Sequence, residues 1–138
     1  LTIHIAKLSV GSTGIESLGR WQASLIERRG VKYPYHVTRM FPRRGEEVLD
    51  GGSIYWVIQG YFTARQQIVG LEPVTAEDGT SKCRIDLDPK LIPVSPIAKR
   101  PFQGWRYLKP EDAPADVTGG AKGDSLELTR RLSELGLL

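Results

Sequence analysis

Sulfur and imidazole are scarce in this chain: of 138 residues, one is cysteine, one is methionine and two are histidine. The lone Cys83 closes no internal disulfide, and it lies in a stretch that alternates like a strand, where a thiol serves as a small apolar residue. His4 and His36 are far apart and no second cysteine joins them, so no metal-ligand spacing exists and neither a metal nor another cofactor is expected. No apolar run approaches the roughly 18 residues that a membrane span needs. The opening residues 1–8 are too short and too polar for a secretory leader, and the expectation is a cytoplasmic chain without a membrane partner.

Catalytic signatures are absent as well. Ser12, Ser53 and Ser81 lack the Gly-x-Ser-x-Gly flanks of a nucleophile elbow. Asp50-Gly51-Gly52-Ser53 is a glycine loop that can offer backbone N–H groups to an anion, but no Gly-Lys-Ser/Thr follows it, and a helix stop joined to a strand start explains it equally. The sequence therefore argues for no particular reaction. With 40% hydrophobic and 25% charged residues the chain has the composition of a single domain with its own core, residues 1–138.

The absence that says most is that of acids from two stretches. Residues 28–44 carry six Lys/Arg and residues 99–109 carry four, with no Asp or Glu in either. Subtracting those ten charges from the net +3 leaves −7 on the rest of the chain, so the basic character is local. Each stretch also holds flat rings: His36-Val37-Thr38-Arg39-Met40-Phe41-Pro42-Arg43-Arg44 in one, Lys99-Arg100-Pro101-Phe102-Gln103-Gly104-Trp105-Arg106-Tyr107 in the other. Arginines grouped with aromatics suit a phosphate-bearing partner, although ordinary solvated loops account for many such runs.

Periodicity orders the elements. Residues 2–9 alternate as a half-buried strand. Thr13-Gly14-Ile15-Glu16 has the form of a capping box, and Ile15, Leu18, Trp21, Gln22, Leu25 and Ile26 form the stripe of a helix that ends near Gly30. A strand is expected over 32–40, a short helix over 42–49 stopped by Gly51 or Gly52, then strands over 53–59 and 61–74 with a bend at Gly70. The turn Glu77-Asp78-Gly79-Thr80 returns the chain into Cys83–Asp88, completing a three-stranded antiparallel meander. Six of the nine prolines fall between Pro89 and Pro114, which favours irregular or edge-like backbone there. A polar connection over 113–122 leads to a last helix over 125–135. The fold class expected is α+β: a small, strongly curved or barrel-like, mainly antiparallel sheet with an N-terminal helix, the short helix near 42–49 and a C-terminal helix.

The residues expected to meet an anionic partner are His36, Arg39, Arg43, Arg44, Arg65, Arg100, Trp105, Arg106 and Tyr107. In an extended segment Trp105 and Tyr107 share one face and Arg106 takes the other, so the rings are placed to stack bases or to pack in the core. His36 suits a general base, a ligand contact or a satisfied strand polar group. Glu46, Glu47 and Asp50 beside Arg43 and Arg44 suit neutralising ion pairs. The function expected first is an RNA-binding module using the two arginine–aromatic blocks; the alternatives are a binding protein or enzyme for a nucleotide or phosphorylated metabolite with His36 in its pocket, and an adaptor for an acidic protein.

The block from His36 to Arg44, Asp50-Gly51-Gly52-Ser53-Ile54-Tyr55-Trp56-Val57-Ile58, Arg65-Gln66, and Arg100-Pro101-Phe102-Gln103-Gly104-Trp105-Arg106-Tyr107-Leu108 together resemble the signature of a bacterial family, the domain-of-unknown-function family 1489. The resemblance covers nearly the whole chain and implies a compact single-domain cytoplasmic protein, with no activity, cofactor or catalytic residue attached to it. The layout of a short helix, an Asp-Gly turn, a hydrophobic strand and a meander is also similar to PUA-like folds, several of which bind RNA or modified bases between sheet and helix. That likeness is one of fold, from which function does not follow.

Overall fold

A computed structural model describes residues 1–117. The helix expected over 125–135, and most of the connection before it, lie outside the described residues. The elements are β1 (His4–Leu8), α1 (Ile15–Arg29), β2 (Tyr35–Thr38), α2 (Gly45–Leu49), β3 (Ser53–Ile58), β4 (Tyr61–Thr75), β5 (Ser81–Leu87), β6 (Ile92–Pro93), β7 (Trp105–Leu108) and a 3₁₀ turn at Pro110–Asp112. The strands form one sheet in the order β2-β5-β4-β3-β1-β7, with β6 paired to β4. The architecture is thus mixed α and β, as expected, but the sheet is not closed into a barrel: its end strands β2 and β7 are not paired with each other.

The meander β3-β4-β5 is antiparallel throughout. Its first turn places Gln59 at φ 50 and Gly60 at φ 87, and its second turn at Gly79 is braced by the Asp78 carboxylate, which accepts from the Thr80 N–H and hydroxyl. The long β4 pairs with β3 through Gln67 and with β5 from Ile68 onward, and the ladder skips a residue between Ile68 and Gly70, where a bend was expected. Two pairings had no counterpart in the sequence reading. β1 runs parallel to β3, reached by a crossover through α1, β2 and α2, and β7 adds antiparallel to the free side of β1.

Helix α1 ends at Gly30 in the left-handed region (φ 62), whose N–H reaches the Ile26 carbonyl at 2.9 Å. Its start differs from the capping box expected on Thr13 and Glu16. Gly14 is the cap residue, and the Ser17 hydroxyl accepts from the N–H groups of Thr13 (2.9 Å) and Gly14 (3.2 Å), leaving Glu16 exposed. β2 and α2 are shorter than the stretches 32–40 and 42–49, because the chain leaves the sheet at Arg39 and turns through Pro42 before any helical bond forms. The glycine loop after α2 is a helix stop. Gly52 donates to the Val48 carbonyl at 2.9 Å, and a methyl group at that position would meet the Val48 and Ile3 carbonyl oxygens at 2.3 and 2.4 Å. The Ser53 N–H is taken by His4 Nδ1 at 3.0 Å, so these amides are not free for an anion.

Alternation sorts the side chains onto two faces. One face buries Ile3, Ile5, Ile54, Trp56, Ile58, Ile68, Cys83, Ile85 and Leu87 beneath Leu18 of α1 and Val48 of α2. The other buries Ala6, Tyr55, Val57, Phe62, Val94 and Leu108. A polar device sits inside the first of these cores. The Gln66 amide is fully buried; its oxygen accepts from Gln22 Nε2 and Trp56 Nε1, both at 2.8 Å, and its nitrogen donates to Gln22 Oε1 (2.7 Å) and the Asp88 carbonyl (3.0 Å). Both lone pairs and both N–H groups are used, which is the complete capacity of an amide.

Removing Gln66 alone strands several buried partners, so Gln66→Leu is expected to destabilise by about 2–5 kcal/mol in urea unfolding. The double variant Gln22→Leu/Gln66→Leu should lose less than the two single losses combined, because each single change orphans the other amide. Additive losses would contradict the network.

Candidate functional site

A cavity of about 430 Å³ opens on the α1 face of the sheet. Lys7, Leu8 and Ser9 from β1 and the following residue, the turn at Val10–Ser12, Ser17, Leu18 and Trp21 of α1, His36 of β2 and Trp56 of β3 line it. Register explains how these meet. Lys7 lies opposite Trp56 in the parallel ladder and opposite Trp105 in the antiparallel one, so its side chain rises between the two indoles on the face that also carries Ile5. His36 comes from the far end of the sheet, yet its ring meets Trp56 edge-on at 5.5 Å. Trp56 is held from behind by Gln66, and Gln22 of the same network places Trp21, its neighbour in sequence, on the exposed side of α1 at the cavity rim.

The electrostatics are those of a partly dehydrated cationic site. Burial lowers the Lys7 ammonium below the ordinary lysine value. His36 is pushed down to about 4, first by burial and then by the nearby Lys7 charge, so its imidazole is neutral at pH 7. That imidazole has no hydrogen-bond partner among the described residues and offers one donor and one acceptor to a ligand. Ser9 donates to the Ser12 hydroxyl at 2.8 Å, and among the described residues Lys7 makes only a long 3.5 Å contact to the Gly104 carbonyl. Among the described residues no cluster of His, Cys, Asp and Glu is grouped to hold a metal ion. Cys83 is buried, and burial raises its thiol to about 11.

The two basic blocks meet, but only in part. Trp105 Nε1 donates to the Met40 carbonyl at 2.8 Å, and the Arg44 N–H donates to the Tyr107 hydroxyl at 3.0 Å, so β7 binds the segment that follows β2 through side chains where no ladder joins the two strands. Trp105 and Tyr107 touch edge to face at 4.8 Å. Arg44 is committed to Glu47 through two bonds of 2.6 and 2.7 Å and lies 5.5 Å from the Tyr107 ring. Arg39 and Arg43 are exposed and have no ion-pair partner among the described residues.

Other expected residues lie elsewhere. Arg65 faces the second core with Tyr55 and is consumed by Asp116 (2.7 and 2.7 Å) and Ser53 (3.0 Å), a clamp on the chain near 116. Arg106 also takes the opposite face, donating to the carbonyls of Gln103 and Trp105 and packing with Lys99 on Phe102. Arg100 is exposed on the loop between them. Lys7 and Trp21 were not anticipated. The signal for Lys7 was its phase: Ile3, Ile5 and Lys7 share a face, and a cation stands where the alternation calls for an apolar residue.

The neutral state of His36 has a pH signature. The unfolded chain takes up a proton at this residue below its ordinary value of 6.5, whereas the folded chain does so only near 4. The contribution to stability is complete above that ordinary value and is lost as pH falls through the window, by up to about 3 kcal/mol. His4, lowered by burial and by Arg65, adds to the same trend. The measurement is therefore a difference: His36→Gln should lose stability less steeply than the parent between roughly pH 6.5 and 4 in urea titrations, and equal slopes would contradict a buried neutral imidazole.

No helix among the described residues is long and apolar enough to cross a membrane. No curated protein and no solved structure matches the chain. A family model described as "Protein of unknown function (DUF1489)" matches residues 5–138, and the chain belongs to that family.

Proposed function

We propose that this protein binds a small ligand that joins a flat ring to an anionic group, with a nucleotide as the chemical type. The observation that carries this reading is the meeting of Lys7 and His36 in one cavity between Trp56 and Trp21. The volume of about 430 Å³ is within the range of small-molecule sites, roughly 300–1,000 Å³, and the lining has the usual form of apolar walls with a few polar groups converging on them. Lys7 supplies the charge for a phosphate or carboxylate. The half-exposed Trp21 ring is free to stack, and His36 together with the serines Ser9, Ser12 and Ser17 supplies neutral hydrogen bonds.

Part of the guanidinium charge singled out in the sequence is already spent. Arg44 and Arg106 of the basic blocks, and Arg65 outside them, have protein acceptors, and a guanidinium so engaged must give up a bond to take a phosphate.

Isothermal titration with paired nucleosides and nucleoside monophosphates tests the reading. The phosphorylated member of a pair should bind more tightly by about 10-fold or more, the worth of a charge-assisted contact. Lys7→Met, checked for folding by circular dichroism, should bring the monophosphate down to the nucleoside's affinity. Equal binding of the two by the parent protein, or no binding of either, would overturn the proposal.

A further inference from the structure

We infer that the nucleotide in the pocket is one unit of a single-stranded nucleic acid, whose neighbouring phosphates run along Arg39 and Arg43 and whose neighbouring base rests on the exposed rings of Phe41 and Tyr107. The inference rests on the ligand reading of the pocket given above.

The geometry that points to it is continuity between pocket and surface. His36 is in the cavity wall, and the chain that leaves it carries Arg39, Met40, Phe41 and Arg43 outward to β7. There the Met40 carbonyl is bonded to Trp105, whose partner across the ladder is Lys7 of the cavity. The strip therefore begins at His36 in the cavity wall, passes at Met40 the ladder partner of Lys7, and reaches at Arg44 the ring of Tyr107, the ladder partner of Ile5. Along it the side chains stay in solvent: Met40 is 65% exposed, Phe41 45% and Tyr107 37%. Exposed apolar groups gathered beside one another in this way suit a flat apolar occupant.

Charge selects the kind of occupant. No acid occurs from Arg28 to Arg44, and Glu47, the carboxylate bonded to the strip, is taken up by Arg44. Among the described residues Arg39 and Arg43 are left as uncompensated cations on either side of an exposed phenyl ring in the chain. Alternating guanidinium and ring is the pattern that follows a single strand, with cations on the backbone and rings on the bases. A duplex keeps its bases stacked and would have none to place in the cavity.

The test compares a nucleoside monophosphate with a single-stranded RNA of about eight nucleotides, a span that one small domain covers, each measured at two salt concentrations by competition against a labelled strand and by direct titration. The parent protein should bind the strand at least 10-fold more tightly than the monophosphate. Arg39→Ala/Arg43→Ala should flatten the dependence of log K on log salt for the strand by about 1.4, two single-strand phosphate contacts at about 0.7 each, and leave monophosphate affinity unchanged. Lys7→Met should weaken both ligands.

Monophosphate binding with no gain from the longer strand would overturn this inference and leave the pocket reading standing. Failure of both ligands would overturn both. Arginine-dependent strand binding that is indifferent to Lys7→Met would separate strip from pocket and overturn the inference as stated. Inorganic polyphosphate that competes as well as RNA would remove the role given to the rings, with the same result.

Discussion

A saturated amide, Gln66, ties together the helix, the sheet and the floor of the cavity. It faces the core from β4, holds Gln22 of α1 in a reciprocal pair, accepts from the indole N–H of Trp56 and donates to the Asp88 carbonyl after β5. A buried amide with any of these missing is costly, so the network favours the register of α1 over β3 in which all four bonds form. That register puts Trp21 at the rim, Leu18 in the core and Trp56 under the cavity. Apolar packing supplies the bulk of the burial; the amide selects which packing.

A second constraint comes from the sheet being open. Its ends, β2 and β7, do not pair, and the gap is bridged by two side-chain bonds, Trp105 to the Met40 carbonyl and the Arg44 N–H to Tyr107. The polar ends of both rings are therefore spent on architecture. What they leave in solvent is the segment they tether, with its two uncompensated arginines and its exposed Met40 and Phe41. Structural and binding roles are divided between atoms of neighbouring residues, and a tally of arginines and aromatics along the chain does not reveal that division.

The elements legible in the sequence are those determined locally. Gly30 stops α1, the Asp78-Gly79 turn closes its hairpin, the break at Gly70 falls within one residue of the ladder irregularity, and the carboxylates beside Arg43 and Arg44 yield the Arg44–Glu47 pair. The opposite orientation of Arg106 relative to Trp105 and Tyr107 followed from strand alternation alone. What was not legible depends on contacts between distant residues. Nothing local announces that β1 lies parallel to β3 or that β7 joins β1, and without those pairings Lys7 is one more polar residue near the start of the chain. The engagement of Arg65 was hidden for the same reason, since Asp116, its partner, is 51 positions away. The capping motif slipped by one residue because Ser17 reaches the free N–H groups that a Thr13–Glu16 box would otherwise have satisfied.

The central claim, that Lys7, His36 and two indoles form a ligand site distinct from the indole at the seam, is tested most directly by the indole N–H signals in a nitrogen–proton correlation spectrum. The chain has three tryptophans, each assignable by a single Trp→Phe change. On titration with a nucleoside monophosphate the signals of Trp21 and Trp56 should shift together along one saturable curve while that of Trp105, bonded to the Met40 carbonyl, stays in place. Movement of Trp105 with Trp21 and Trp56 unmoved would contradict the account.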